Sequence, residues 1–175
     1  MSALLIVLIA VAAVIAAILL FAAMKPDRFE YRRSTSINRS TDKIYPLIND
    51  LRAQAQWSPF EKDPNMKRVH SGPAQGKGAV YEWDGNREVG AGRIAITDST
   101  PSKVTLDLEM LRPFAARNVV EFTLEPRGQG TLVTWAMRGT QPFMVKLMST
   151  FINCEKMVCS QFDQGLAKLK TLAEA

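Results

Sequence analysis

The first 24 residues contain no lysine, arginine, aspartate, glutamate or histidine, so all 22 basic and all 17 acidic side chains lie beyond Met24. The formal charge of +5 therefore belongs wholly to the later part of the chain. That excess is not gathered into a basic block, a basic helix or an RNP-like aromatic motif, which excludes a nucleic-acid site and leaves a mildly basic, solvated surface. A membrane surface is the expected electrostatic partner. Cysteine is almost as scarce: Cys154 and Cys159 alone, five residues apart in a helical stretch. Their Cα atoms should stand about 8 Å apart, too far to bridge. Neither has a histidine nearby, so they form no zinc site and fit a reducing compartment as small packing residues. His70 is the single histidine. Any Ser-His-Asp or Cys-His relay would rest on it alone, and its place at a strand end beside polar residues marks it as an exposed side chain. No metal and no cofactor are expected. Gly76-x-Gly78 and Gly90-x-Gly92 lack the helix and lysine of a phosphate loop and read as bends in the backbone.

What the first segment does have is an unbroken apolar run, residues 3–23, long enough for a helix to cross a hydrocarbon core of about 30 Å. A cleaved signal peptide is the alternative. No lysine or arginine precedes the run, which also exceeds a usual signal core, and no cysteine follows it for lipidation. The expectation is an uncleaved anchor. Lys25, Arg28, Arg32 and Arg33 follow it directly, and positive flanks stay on the cytoplasmic side, so the rest of the chain is expected there. The expected division is an anchor over residues 1–24, a juxtamembrane linker over 25–28 and one folded domain over 29–175. The 175 residues leave room for one ordinary core.

From Phe29 to Ile37 apolar and polar residues alternate, which predicts a strand. Ser40 or Thr41 caps a short helix bearing Ile44, Leu47 and Ile48, followed by a second helical turn over 50–56. Turn signals then recur every ten or so residues, predicting an antiparallel meander with strands over 66–70, 79–84, 87–97, 103–110, 117–125 and 131–138. Val104, Leu106, Leu108 and Met110 mark the inner face of one of them, and Gly90 with Gly92 a bulge that lets the sheet curl.

The last stretch, from Pro142 to about Ala173, has no proline or glycine until Gly165. Met144, Leu147, Met148, Phe151, Val158, Cys159, Phe162, Leu166 and Leu169 recur at helical spacing, which predicts one long amphipathic helix covering the sheet. Glu155 interrupts the stripe. As a carboxylate on the apolar stripe it must find a partner, with Arg87, Arg93 or Arg117 as salt-bridge candidates, reach solvent, or sit in a cavity with a raised pKa as a general acid or base.

Several stretches in this order and spacing resemble a known family: Trp57-Ser58-Pro59-Phe60, Asp63-Pro64, Gly76-Lys77-Gly78-Ala79, Tyr81-Glu82-Trp83 with Gly85-Asn86, and Val89-Gly90-Ala91-Gly92. Arg112-Pro113-Phe114, Glu121-Phe122-Thr123-Leu124-Glu125-Pro126, Val133-Thr134-Trp135 and Phe162-Asp163-Gln164-Gly165-Leu166 continue the match. The chain resembles the SRPBCC superfamily, START-like or birch-pollen-allergen-like, and is most similar to membrane-anchored bacterial members of its polyketide cyclase and dehydrase group. Cys159 departs from it, at a position where glycine is expected. The resemblance implies an α+β helix-grip fold: a curved antiparallel sheet of about six to seven strands around a long C-terminal helix, here preceded by one transmembrane helix. It also implies a deep apolar cavity between sheet and helix. No single reaction follows, because such families hold carriers, receptors and cyclases alike.

The expected cavity lining is Trp57, Phe60, Tyr81, Trp83, Phe122, Trp135 and Met137, with Leu106 and Leu108 beside them. Met110, Met144 and Met148 would give adaptable walls, and Phe151 and Glu155 would close the lining from the helix. The plainer reading of the same residues is ordinary core. Three functions follow. One is a membrane-anchored domain that binds a hydrophobic small molecule, lipid or polyketide-like. Another is a cyclase or dehydrase in which Glu155 removes a proton next to a carbonyl and Tyr81 donates to the enolate oxygen. The third is a non-catalytic interaction module with a filled core.

Overall fold

The computed structural model describes residues 2–175. Twenty-two residues without a charge form helix α1 (Ala3–Met24), about 33 Å long at the usual rise. It is long and apolar enough to cross a membrane, and its side chains are almost all exposed. Strand β1 (Arg28–Ile37) follows after three residues, then α2 (Thr41–Asn49) and the single turn α3 (Leu51–Gln54). Ile44, Ile48 and Leu51 enter the core from the two short helices, and Asp50 caps α3 by accepting from the Arg52 amide.

Six strands then run as a meander: β2 (Lys67–Ser71), β3 (Val80–Asp84), β4 (Ala91–Thr100), β5 (Lys103–Arg112), β6 (Ala116–Arg127) and β7 (Gly130–Thr140). Together with β1 they make one antiparallel sheet in the order β1-β7-β6-β5-β4-β3-β2. The glycine-marked irregularity is present as a register shift between Ala91 and Gly92. Gly90 adopts φ +70°, and an added Cβ would meet the Arg112 carbonyl oxygen at 2.2 Å, so no other residue fits that bend without strain.

The terminal stretch differs from the single helix expected. It forms α4 (Phe143–Met148) and α5 (Cys154–Glu174), broken across residues 149–153. The break needs no proline or glycine, because Asn153 starts α5 as its N-cap, its side chain accepting from the Lys156 amide at 2.8 Å. Phe162, Leu166 and Leu169 are then buried against the sheet, while Met144, Met148 and Phe151 belong to α4 or the break and are exposed. Helix α5 lies mainly over β1, with Cys159 buried on that side and Arg33 reaching Asp163 at 3.4 Å. Gly165 allows the close approach: a Cβ there would sit 2.7 Å from the Trp135 ring and 3.0 Å from Pro59.

Registers align the inward residues in lateral rows. Nearest the end from which α1 leaves are Arg68, Trp83, Gly92, Met110 and Ala116, and next to them His70, Tyr81, Ile94, Leu108, Asn118, Gly139 and Phe29. Farther along come Ile96, Leu106, Val120, Met137 and Tyr31, then Val104, Phe122, Trp135 and Arg33. The core fills this far half, with Leu106, Val104, Phe122, Leu124, Val133 and Trp57 all buried. This distribution sets the expected effect of two phenylalanine truncations. Phe162→Ala should cost about 3–5 kcal/mol, since the ring is fully enclosed, whereas Phe151→Ala should stay within about 0.5 kcal/mol. Urea titrations in detergent followed by tryptophan fluorescence measure both, and equal losses would contradict the helix break.

Candidate functional site

The helices cover one flank and the far half of the sheet, so the inward side chains nearest α1 keep part of their surface in solvent. Tyr81, Trp83, Ile94, Leu108 and Met110 are half-buried, as are Met137, Tyr31 and Phe29 toward β1. Neighbours in register, they make a part-exposed apolar trough along the concave face. Its inner end is stopped by aromatic rings: Trp135 stacks on Phe162 at 4.3 Å, and Trp57 meets both Phe122 and Trp135 edge-on at 5.8 and 5.7 Å. The expected lining residues thus separate into three groups. Trp57, Leu106, Phe122 and Trp135 are core; Tyr81, Trp83, Leu108, Met110 and Met137 border the trough; Phe60, on the α3–β2 connection, is half-exposed with its ring 6.3 Å from Trp135. Met144, Met148, Phe151 and Glu155 lie elsewhere, on the α4–α5 segment beside α1.

Glu155 is exposed in the first turn of α5, and Arg93 and Arg117 pair instead with Glu82 and Glu109. The helix restarts at Cys154, so the apolar stripe does not carry Glu155 onto the sheet. Tyr81 is on β3 and Glu155 is at the start of the helix over β1, five strands away, or about 24 Å along the sheet. The structure does not bring these two together.

Tyr81 has another partner. Its hydroxyl donates to Glu61 at 2.6 Å, and Glu61 pairs with Arg68 at 2.9 Å, placing a small polar group on the β2–β3 side of the trough. His70 is half-buried rather than exposed, its ring stacked on Tyr81 at 4.7 Å. Burial and the nearby Arg52 hold the His70 pKa below its ordinary value. The Tyr81 phenol moves the opposite way, pushed up by burial and then by Glu61, with Arg68 opposing. Glu61 sits in the irregular α3–β2 connection, and nothing in its spacing points to Tyr81. Beside it, Asp63 braces the loops by accepting from the Asn65 and Asn86 amides, both at 2.9 Å.

Two further polar atoms on the concave side lack a partner among the described residues, Trp135 Nε1 and Asn118 Oδ1. A buried donor or acceptor left unpaired costs about 1–3 kcal/mol. Two surface hollows share residues with the trough, Phe29, Leu108 and Asn118 in the first and Phe29 and Tyr31 in the second. One of about 820 Å³ also takes side chains from the sheet's outer register, including Arg93, Asp107, Glu109, Arg117 and Arg138. The other, of about 660 Å³, is lined by Lys25, Tyr31, Phe151, Ile152 and Glu155 between the chain leaving α1 and the start of α5. No group of three or more metal-ligating side chains occurs among the described residues.

Residues 28–174 match the family described as polyketide cyclase / dehydrase and lipid transport. No curated protein matches. Among solved structures, a protein from Chromobacterium violaceum aligns over 86% of this chain and 99% of its own at 14% identity and a TM-score of 0.60. Major latex-like protein 151 from Panax ginseng aligns over 86% and 100% at 12% identity with a TM-score of 0.61. The Aha1 dimer from Colwellia psychrerythraea aligns over 83% and 96% at 17% identity with a TM-score of 0.59. At these identities the likeness is one of fold.

The Tyr81–Glu61 bond generates a pH prediction. A phenol ionises in the unfolded chain from about pH 10 but later here, so its contribution to stability is intact below pH 10 and is lost as pH rises above it. Subtracting the ultraviolet tyrosinate titration of Tyr81→Phe from that of the wild type should leave a single step centred above pH 10. A step at the ordinary value would remove Glu61 as the partner.

Proposed function

The chain belongs to the polyketide cyclase / dehydrase and lipid transport family, and from that membership we propose that it is a membrane-anchored domain binding a hydrophobic small molecule, lipid or polyketide-like. Residues 1–24 anchor it, residues 25–28 link, and residues 29–175 carry the ligand. Lys25, Arg28, Arg32 and Arg33 favour a cytoplasmic position. The observation that carries the reading is the uncovered apolar half of the concave sheet, where Trp83, Ile94, Leu108 and Met110 stay part-exposed although the same face is solidly packed farther along. A soluble surface of that character is unfavourable unless something occupies it. The ligand's apolar body would lie along Leu108 and Met110, and a ligand hydroxyl would donate to the Tyr81 hydroxyl oxygen, whose own proton goes to Glu61.

Binding is favoured over a cyclase or dehydrase reaction because the acid–base pair that such a reaction needs is split between Tyr81 and a distant Glu155. Tyr81 is also committed to Glu61. Native mass spectrometry and solvent extraction of residues 25–175, which keep Lys25 and Asp27 together with the matched stretch 28–174, test the proposal. About one apolar molecule per chain should be recovered. Leu108→Arg, which sets a charge in the trough, should lower occupancy at least about tenfold, or 1.4 kcal/mol. Clean apo protein at every loading would instead leave a non-catalytic interaction module.

A further inference from the structure

The strand registers put one end of the sheet beside the apolar helix. There β1 begins at Arg28, β7 ends at Thr140 opposite it, β6 begins at Ala116 opposite Met110, and β5 ends at Arg112. The tip of the β5–β6 connection is at this end and exposes Leu111 and Phe114, 58% and 51% accessible. Helix α5 runs alongside β1 with its start toward the same end, since Arg33 meets Asp163 while Lys170 reaches the Ser36 carbonyl. The α4–α5 segment there exposes Phe143, Met144, Phe151, Ile152 and Met157, with Phe151 71% accessible.

Helix α4 packs on α1, whose last turn buries Ala22. The connection between them is short and fastened. Gln141 N donates to the Asp27 carbonyl at 2.7 Å, Lys25 Nζ donates to Ser149 Oγ at 2.9 Å, and the buried Lys146 ammonium pairs with Asp27. A bilayer that holds α1 therefore has α4 at its surface.

We infer that the α4–α5 break and the β5–β6 tip seat together in the lipid interface as a second attachment, so that the bilayer closes the open end of the trough. This rests on the anchor reading above. Side chains such as Phe151, Ile152, Phe114 and Leu111 gain by leaving water, at about 25 cal/mol for each Å² removed. Lys25, Arg28 and Lys156 stand around them at headgroup level, where cations are attracted to anionic lipid. The opposite flank of the same end, the β3–β4 connection with Asn86, Arg87 and the Lys62–Glu88 pair, is polar and remains in water. The occupant is a bilayer rather than a second protein because α4, which leads into the exposed break, packs on an exposed 22-residue apolar helix. An apolar ligand would then pass between lipid and trough without crossing water.

The test uses the full chain in phosphatidylcholine–phosphatidylglycerol nanodiscs, in a Cys154→Ser background. Cys159 is buried with its thiol pKa pushed up by that burial, and stays unlabelled. An environment-sensitive thiol label is placed singly at Phe114→Cys, Phe151→Cys, Ile15→Cys in α1 and Gln129→Cys on the far β6–β7 turn, with doxyl lipids as quenchers. Labels at 114 and 151 should shift to the blue and lose emission to shallow doxyl groups, that at 15 to deep ones, and that at 129 to neither. Should 114 and 151 behave like 129 while 15 is quenched, docking is overturned and the anchor stands. If 15 is also unquenched, both readings fall. Protection of 114 and 151 that vanishes on diluting the protein would assign the patch to a second copy and overturn the lipid assignment.

Discussion

Phe162 lies flat on Trp135, 4.3 Å between centroids and 11° between planes, and the position of the final helix depends on that contact. The stack closes only because Gly165, one turn later, has no side chain to strike the same indole. Trp57 and Phe122 then lock Trp135 from the other side at near-perpendicular and tilted angles. Aromatic rings packed in this way contribute about 0.5–1.5 kcal/mol per pair beyond their buried area. The cluster therefore fixes both where the helix crosses and how far the core extends.

One consequence is a sheet covered unequally. A helix anchored over β1 and β7 at the level of Trp135 reaches the far rows and leaves those through Tyr81 and Trp83 uncovered. In this chain the grip is one-sided, and the apolar residues outside it are the ones available to a ligand. The polar atoms follow the same division: Glu61, Arg68 and Tyr81 satisfy one another at the trough's edge, whereas Trp135 Nε1 and Asn118 Oδ1 find no partner among the described residues.

Much of this was legible in residue order. Period-two alternation from Phe29 to Ile37 and from Lys103 to Met110 located β1 and β5, and Gly90 with Gly92 located the bulge. The division of the last stretch into two helices was not legible, because a run without proline or glycine offers no breaker. The available signal was subtler: Ser149, Thr150 and Asn153 can satisfy backbone groups with their own side chains, and Asn153 does so as a cap. Reading through that break carried Met144, Met148, Phe151 and Glu155 onto the wrong surface. The Tyr81–Glu61 bond was equally hidden, since residues 20 apart meet only after β3 has paired with β2 and the preceding loop has folded back. Local pattern gives faces and ends of elements, and contacts between distant segments lie outside its reach.

The fastening of Asp27 decides how the apolar helix and the sheet relate. Three residues of linker would ordinarily let a tethered body turn freely, but Lys146 is buried under α4 and its ammonium has Asp27 as its ion-pair partner. Asp27 itself is 87% exposed, so the pair acts as a surface tether that holds the linker against α4. The low pKa of Asp27, caused by its hydrogen bond to Lys146, keeps that counter-charge in place throughout the neutral range. Orientation is thereby built into the packing: the end of the sheet that lacks a cover is also the end from which α1 departs. Had the polypeptide entered at the β6–β7 turn, the same sheet would have turned its packed half toward α1 and its open half away.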